Sequence, residues 1–331
     1  MFSMKKILLL ISLVFCLTGC KKVEYPVSDT DFLLNTVSTI DIYAYDGKED
    51  PEVIIDDCFS YIRELEKILS RTVNNSDIAM LNKVNGGTVK ISDETREVLE
   101  KSILYGELTE GAFDVTIARV SSLWDFVSGE EIVPEADVIK EAVETVDYKN
   151  IKMDGNNVYL ENGAEVDLGA IAKGYIADKA AEFLRDKGVT SAIVNLGGNN
   201  IVIGKNGERA FRIGIQKPTA TTGEFSGVAN IEDMSIVTSG AYQRFFVKDG
   251  VTYHHILDPE TGYPAESDIA SVSIICETSA DADALSTSCF ILGTEKAVEL
   301  MDSLDYACAI IIDNNGEMIL TDGAEKYFEY L

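Results

Sequence analysis

The stretch Val166-Asp167-Leu168-Gly169-Ala170-Ile171-Ala172-Lys173-Gly174 reads as a link from a strand into a helix, and the fold class turns on the elements that this link joins. From Ala170 the spacing predicts a helix to Lys187, ended by Gly188, and the apolar run over 191–196 then reads as a buried strand. Short strands near residues 211–215, 227–231, 235–238, 244–248 and 252–257 come next, joined by glycine-bearing turns of which Lys248-Asp249-Gly250 is the clearest. Another strand is expected at 271–276, a helix at 280–292, and a late strand at 309–312 turned by Asn314-Asn315-Gly316. Upstream, 39–45 alternates as a half-buried strand. Pro51 starts a helix with Ile54, Ile55, Cys58, Ile62, Leu65 and Ile68 on one stripe, and Ser76 and Ser92 cap two more. Pro134 starts a further helix ending near Val146, and Asp154-Gly155-Asn156-Asn157 turns a hairpin between strands near Ile151 and 158–160. Helices and hairpins mix without strict alternation, so the fold class is α+β, mixed sheets with packed helices, rather than a doubly wound parallel sheet.

The chain opens with Met4, Lys5 and Lys6, runs through an apolar stretch from Ile7 to Leu17, and reaches Thr18-Gly19-Cys20. Basic start, apolar middle, small residues and cysteine, in that order, read as a lipoprotein signal peptide over 1–19. Cys20 then carries lipid and 20–30 forms a polar tether. The plainer alternatives are an ordinary secretory leader with a chance cysteine, or a buried apolar helix. The run is short for a permanent span, which takes about 20 residues. No comparable run occurs later in the chain, so residues 31–331 are expected to form one domain outside the cytoplasm, held to the membrane through lipid only.

With 331 residues, 46% of them hydrophobic, a large core can be buried. The formal charge of -28 makes nucleic acid and anionic membrane surfaces poor partners. A phosphate-bearing ligand must therefore be met by local devices: a metal, backbone amides or a single lysine. Cys58, Cys276, Cys289 and Cys308 sit in apolar surroundings with no CxxC or Cys/His cluster, so they read as buried small hydrophobes, a disulfide among them remaining open.

Three constellations can carry chemistry. In the 166–174 segment, glycine allows close backbone approach, a helix N-terminus offers amides to phosphate, and Lys173 adds charge one turn inside the helix. A tight turn with a surface lysine explains the segment equally well on spacing alone. In Ala280-Asp281-Ala282-Asp283-Ala284-Leu285-Ser286-Thr287, Asp283 and Thr287 are four apart, so a helix sets both oxygens on one face as hard ligands suited to Mg²⁺. Taken alone, acids at the positive end of a helix are the simpler reading. The third, His254-His255-Ile256-Leu257-Asp258-Pro259-Glu260-Thr261-Gly262, holds the only two histidines, adjacent on a strand and so on opposite faces, one free to serve as a general base.

These segments, with Gly111-Ala112-Phe113-Asp114-Val115 before them and Asn195-Leu196-Gly197-Gly198-Asn199 among them, resemble in order the FAD:protein FMN transferases, the ApbE family, many of which are lipoproteins. The resemblance covers nearly all of the chain after the tether, including Asn35-Thr36, Ser76-Asp77-Ile78 and Leu81-Asn82. It implies an ApbE-like, T-fold-like architecture and a Mg²⁺-dependent enzyme that splits FAD and transfers FMN to a threonine or serine hydroxyl of a partner protein, releasing AMP. By the family pattern Asp283, Thr287 and the carbonyl of Ala170 hold the metal. Thr36, Ala112, Phe113 and Asp114 lie along the flavin nucleotide, Asp167 and Lys173 beside it, and His255 with Ile256 near the reacting phosphate or isoalloxazine. Asp283 and His255 are the catalytic pair, His255 as base. Where many members carry Met and Tyr, this chain has Leu34 and Thr72, which removes flavin stacking from that side. The expected acceptor carries an Asp-Gly-x-Ser/Thr-Gly/Ala-x-Ser/Thr-like motif, which this chain lacks, on a membrane redox subunit. An FAD pyrophosphatase yielding FMN and AMP, and a non-catalytic flavin-binding lipoprotein, are the alternatives. A solute-binding lipoprotein leaves the ordered motifs unexplained.

Overall fold

The computed structural model describes residues 26–331 apart from 85, 127–129 and 219–222; the signal peptide and Cys20 lie outside the described residues. In chain order the strands are β1 Val27–Leu33, β2 Thr36–Tyr45, β3 Val89–Lys90, β4 Ile151–Asp154, β5 Asn157–Leu160, β6 Val189–Leu196, β7 Asn199–Ile203 and β8 Phe211–Gln216. They continue as β9 Phe225–Ile231, β10 Ser235–Gly240, β11 Phe245–Lys248, β12 Val251–His254, β13 Ile269–Cys276, β14 Ala307–Asp313, β15 Met318–Leu320 and β16 Phe328–Tyr330. The helices are α1 Pro51–Leu69, α2 Asp77–Lys83, α3 Asp93–Leu108, α4 Ala118–Ser121, α5 Ala136–Val143, α6 Ala172–Asp186, α7 Ser279–Leu292 and α8 Thr294–Asp302.

Eight strands form one sheet in the order β1-β2-β6-β7-β10-β13-β14-β15, antiparallel at every ladder. Its two faces are both covered, which is why β13 and β14 are buried along almost their whole length. Val272 and Ile274 pack with Ile311 into the core under α1, α6 and α7, while Ile275 points the other way with Ile310 and Ile312, against the small sheet β16-β9-β8. A third cluster gathers Val120, Trp124, Ile139, Phe246 and Leu257 between α4, α5 and the β11–β12 hairpin. The α+β class holds. The one parallel pairing among the described residues is an isolated bridge, Ile117 to Glu165.

Several local signals act as expected. Asp50 caps α1 ahead of Pro51, Ser76 Oγ accepts the Ala79 amide at 2.9 Å, and Ser92 Oγ accepts that of Thr95 at 3.2 Å. Others differ. The strand read just before Asp167 is absent; Val166 is instead held by Asn82, whose side chain imitates a strand partner by accepting the Val166 amide at 2.7 Å and donating to its carbonyl at 2.8 Å. The helix after Pro134 begins at Ala136 and stops at Val143, because the next residues turn back so that the Asp147 amide reaches Thr116 at 2.9 Å. The end of the expected tether, residues 27–30, belongs to β1, paired with β2. Polar side chains on both faces of this edge strand hid it. Among the described residues no helix is long and apolar enough to cross a membrane.

Candidate active site

A cavity of about 900 Å³ opens beside the ends of β2, β6 and β7, at the upper end of the range for small-molecule sites. Its lining contains Thr36, Ala112, Phe113, Asp114, Asp167, Ala170, Lys173, His255, Ile256, Asp283 and Thr287. Every site residue expected within the domain therefore meets in one place, though the contributing segments are spread over more than two hundred positions.

Asp283 lies in the second turn of α7, its side chain 4% exposed. Its Oδ2 accepts the Gly174 amide at 2.9 Å, and Lys173 Nζ stands 3.3 Å from Oδ1 and 3.4 Å from Oδ2. The same ammonium donates to the Gly169 carbonyl at 3.3 Å. A cation is thus already cradled between a buried carboxylate and a backbone carbonyl, and Thr287, one turn along α7, faces the same cavity. Among the described residues no three His, Cys, Asp or Glu side chains cluster. The carboxylate of Asp283, the hydroxyl of Thr287 and the carbonyl of Ala170, on residues that line the same cavity, are nevertheless hard-oxygen donors of the kind that would suit Mg²⁺. The simpler role, an acid at the positive end of the helix, belongs to Asp281, which pairs with Lys101 at 2.6 Å and with the cap residue Thr278.

The 166–174 segment works differently from the expectation. α6 starts at Ala172 rather than Ala170, because the Leu168 carbonyl accepts both the Ile171 and the Ala172 amides and holds Ala170 in the preceding turn. Lys173 is the second helical residue, not one turn in. The amides offered to phosphate are engaged within the protein: Gly169 with Asp167 at 3.0 Å, Ala172 with Leu168 at 2.8 Å, Gly174 with Asp283. What this turn adds for an anion is the charge of Lys173, since the Gly169, Ala172 and Gly174 amides are already taken.

Asp167 also accepts Arg71 Nε at 2.9 Å and Ser121 Oγ at 2.8 Å, tying the α1 terminus to the glycine turn. Asp114 accepts the Thr116 amide at 2.7 Å, its hydroxyl at 2.5 Å, and the Tyr148 amide at 2.7 Å. Burial raises its carboxyl above the ordinary range despite those donors. Phe113 borders the cavity with its ring in the core, edge-on to Tyr105.

The two histidines face different surroundings, though only His254 lies in the strand. His254 is buried, its Nε2 3.2 Å from the Ala265 carbonyl and its ring edge-on to Phe290. The β12 strand ends there, earlier than expected, and His255 turns into the cavity. Its Nδ1 lies 3.3 Å from the Arg244 carbonyl, so that nitrogen carries the proton and Nε2 keeps its lone pair. Burial first, then the charge of Arg244, lower its pKa to about 4.

Residues that sequence reasoning missed complete the lining: Arg71, Arg244 and the Trp124–Phe126 pair, stacked at 5.9 Å and 11°, together with Asn199, which stood in a motif without a role. Trp124, the sole tryptophan of the chain, was the one signal available. Asn199, which borders the cavity, is 2% exposed, and its buried Nδ2 has no partner. Leu34 and Thr72 line the cavity where aromatic or sulfur contacts were expected to be absent.

An antiparallel sheet between helices and a smaller sheet thus carries a large cavity in which a buried acid, a lysine and a histidine meet. The chain belongs to the ApbE family, whose model matches residues 34–312. It is 34% identical over 303 residues to the FAD:protein FMN transferase of Treponema pallidum, covering 86% of this chain and 84% of that one. The enzyme of the same name from Klebsiella pneumoniae is 31% identical, covering 90% and 93%. The crystal structure of the ApbE protein of Thermotoga maritima superposes with a TM-score of 0.85 at 32% identity, over 91% of this chain and 99% of that one. The flavin transferase ApbE of Vibrio cholerae, 24% identical, shares the fold at a TM-score of 0.81.

Proposed function

We propose that this protein transfers FMN from FAD to a serine or threonine hydroxyl of an exported or membrane-bound acceptor, releasing AMP, with Mg²⁺ as cofactor. The observation that carries the reading is the buried Asp283 carboxylate, facing Lys173 and sharing a cavity with Thr287 and His255.

In a chain of charge -28, Lys173, Arg71 and Arg244 supply local positive charge for a diphosphate. Asp283, Thr287 and the Ala170 carbonyl would hold Mg²⁺, which when bound neutralises charge on the diphosphate oxygens. His255 Nε2 takes the proton of the attacking hydroxyl. That oxygen bonds to the FMN phosphorus, the bond to the bridging oxygen breaks, and AMP leaves with it. The low intrinsic basicity of His255 comes from burial beside Arg244, and an anion seated against that guanidinium offsets it. The Trp124–Phe126 wall is a flat apolar surface for a ring of the dinucleotide.

The leader ending in Cys20 supports a lipid-anchored enzyme outside the cytoplasm, where a membrane redox subunit bearing an Asp-Gly-x-Ser/Thr-Gly/Ala-x-Ser/Thr-like segment is the acceptor. The test is incubation with FAD, Mg²⁺ and a protein carrying that segment, then mass spectrometry of the acceptor and chromatography of the nucleotides. Covalent FMN on the acceptor with stoichiometric AMP is expected. AMP with free FMN means a pyrophosphatase, and unaltered FAD means a carrier; either overturns the reading.

A further inference from the structure

α6 and α7 meet more closely than side chains allow: a Cβ on Gly174 would lie 2.2 Å from the Ser279 carbonyl oxygen. One turn along the same face of α6, Asp178 reaches the start of α7. Its Oδ1 accepts the Ser279 amide at 2.6 Å and its Oδ2 the Ala280 amide at 2.9 Å. Thr278 Oγ1 takes the Asp281 amide at 3.4 Å, and the Thr278 carbonyl that of Ala282 at 3.2 Å. All the amides of the first turn of α7 are therefore engaged by protein, two of them by a carboxylate from the neighbouring helix. That helix also carries Lys173 and Gly174, the two groups that meet Asp283.

We propose that Asp178 is a positioning residue for the metal site: its two-point grip on the first turn of α7 sets the rotation and height of that helix, and so places Asp283 and Thr287. The inference rests on the reading of those two residues as Mg²⁺ ligands. A carboxylate at a helix N-terminus gains from the helix dipole, and two charge-assisted bonds from one planar group fix orientation where a single bond leaves a pivot. Burial raises the Asp178 carboxyl to about 6, a cost that an ordinary capping hydroxyl would not incur. An amide in its place has one acceptor only, and its NH₂ would face a donor.

The experiment compares the full-length protein with its Asp178→Asn and Asp178→Glu variants in three measurements: thermal midpoint, direct binding of Mg²⁺ by titration calorimetry in the presence of AMP, and the Mg²⁺ dependence of AMP release from FAD. For Asp178→Asn, Mg²⁺ binding is expected to weaken about tenfold in both the calorimetric and the kinetic readout, in the range found when groups supporting metal ligands are removed. The rate at saturating Mg²⁺ should stay within about twofold, and Asp178→Glu, which keeps both acceptors, should fall between the two. A lowered thermal midpoint with unchanged Mg²⁺ affinity would mean a helix cap and nothing more, and overturns the inference. If Asp178→Asn does not fold, Asp178→Glu carries the same comparison. Should the unaltered protein neither bind Mg²⁺ nor need it, the metal reading itself fails, an outcome separate from the first.

Discussion

Replacing Asp283 by asparagine keeps the shape of the side chain and removes its charge. The amide oxygen can still accept the Gly174 amide, which stands 2.9 Å from Oδ2, so the α6–α7 contact survives. The loss is the difference between a hydrogen bond to a charged and to a neutral acceptor, about 1–2 kcal/mol, plus an ion pair with Lys173 that is modest because the lysine side chain is 27% exposed. The thermal midpoint should fall by a few degrees. The effect on activity is far larger. In the proposed donor set Asp283 is the only anionic member, beside a hydroxyl and a carbonyl, and it is the carboxylate that Lys173 faces. AMP release from FAD at millimolar Mg²⁺ should drop about a thousandfold, which corresponds to about 4 kcal/mol. The assay is chromatographic separation of FAD, FMN and AMP over a Mg²⁺ series, with circular dichroism to confirm the fold. If Asp283→Asn releases AMP at the unaltered rate with the same Mg²⁺ dependence, the metal assignment is wrong and Lys173 alone serves the phosphates.

Gly174→Ala would press a methyl group against the Ser279 backbone, which cannot move aside as a flexible side chain does, and should cost about 1–3 kcal/mol by urea denaturation. Unaltered stability would refute the close approach. Asn199→Ala removes a donor that is buried without a partner, so stability should hold or rise while FAD binding weakens about fivefold, the value of one net hydrogen bond; an unchanged FAD affinity argues that the donor never meets ligand. His255 has a folded pKa of about 4 against an ordinary 6.5, so the unfolded chain takes up its proton first. Its contribution to stability is complete above about pH 6.5 and is lost as the pH falls through 4, amounting to no more than about 3 kcal/mol. His255→Gln should flatten that slope. The difference between the two proteins isolates it from Asp178, whose raised carboxyl acts in the opposite sense between pH 3.8 and 6. Finally, Cys58, Cys276, Cys289 and Cys308 are free and buried, and burial pushes the Cys58 and Cys289 thiols up to about 12. Ellman's reagent should label none of them until denaturant is added, whereas fast labelling in buffer would contradict the burial.

The readable parts of this fold were those written over short distances. Asp50 before Pro51, Ser76 and Ser92 ahead of their helices, and the Asn156-bearing hairpin turn each act within a few residues, so local chemistry suffices to place them. The candidate site was legible in its residues because ordered segments resemble a known family, although spacing alone left each segment ambiguous. Features that depend on partners far along the chain could not be read. Asn82 stands in for a strand at Val166 from 84 positions away, and Asp178 caps a helix that begins 101 positions later. The free appearance of the Gly174 amide was misleading for the same reason, since Asp283 becomes its neighbour only after folding. β1 escaped notice because an edge strand exposed on both sides carries no alternation to detect.

The cavity wall takes Thr36 from the second strand and Ile291 from a helix near the other end, with contributions from α1, α4, α6, β7, β8, β10 and several loops between them. A nascent or translocating chain therefore owns no part of the pocket that could grip a nucleotide. If the protein crosses a membrane as an extended thread, it must do so empty and meet its dinucleotide on the far side. The supply of that dinucleotide, and not only of the enzyme, then becomes a condition for any flavin attachment outside the cell.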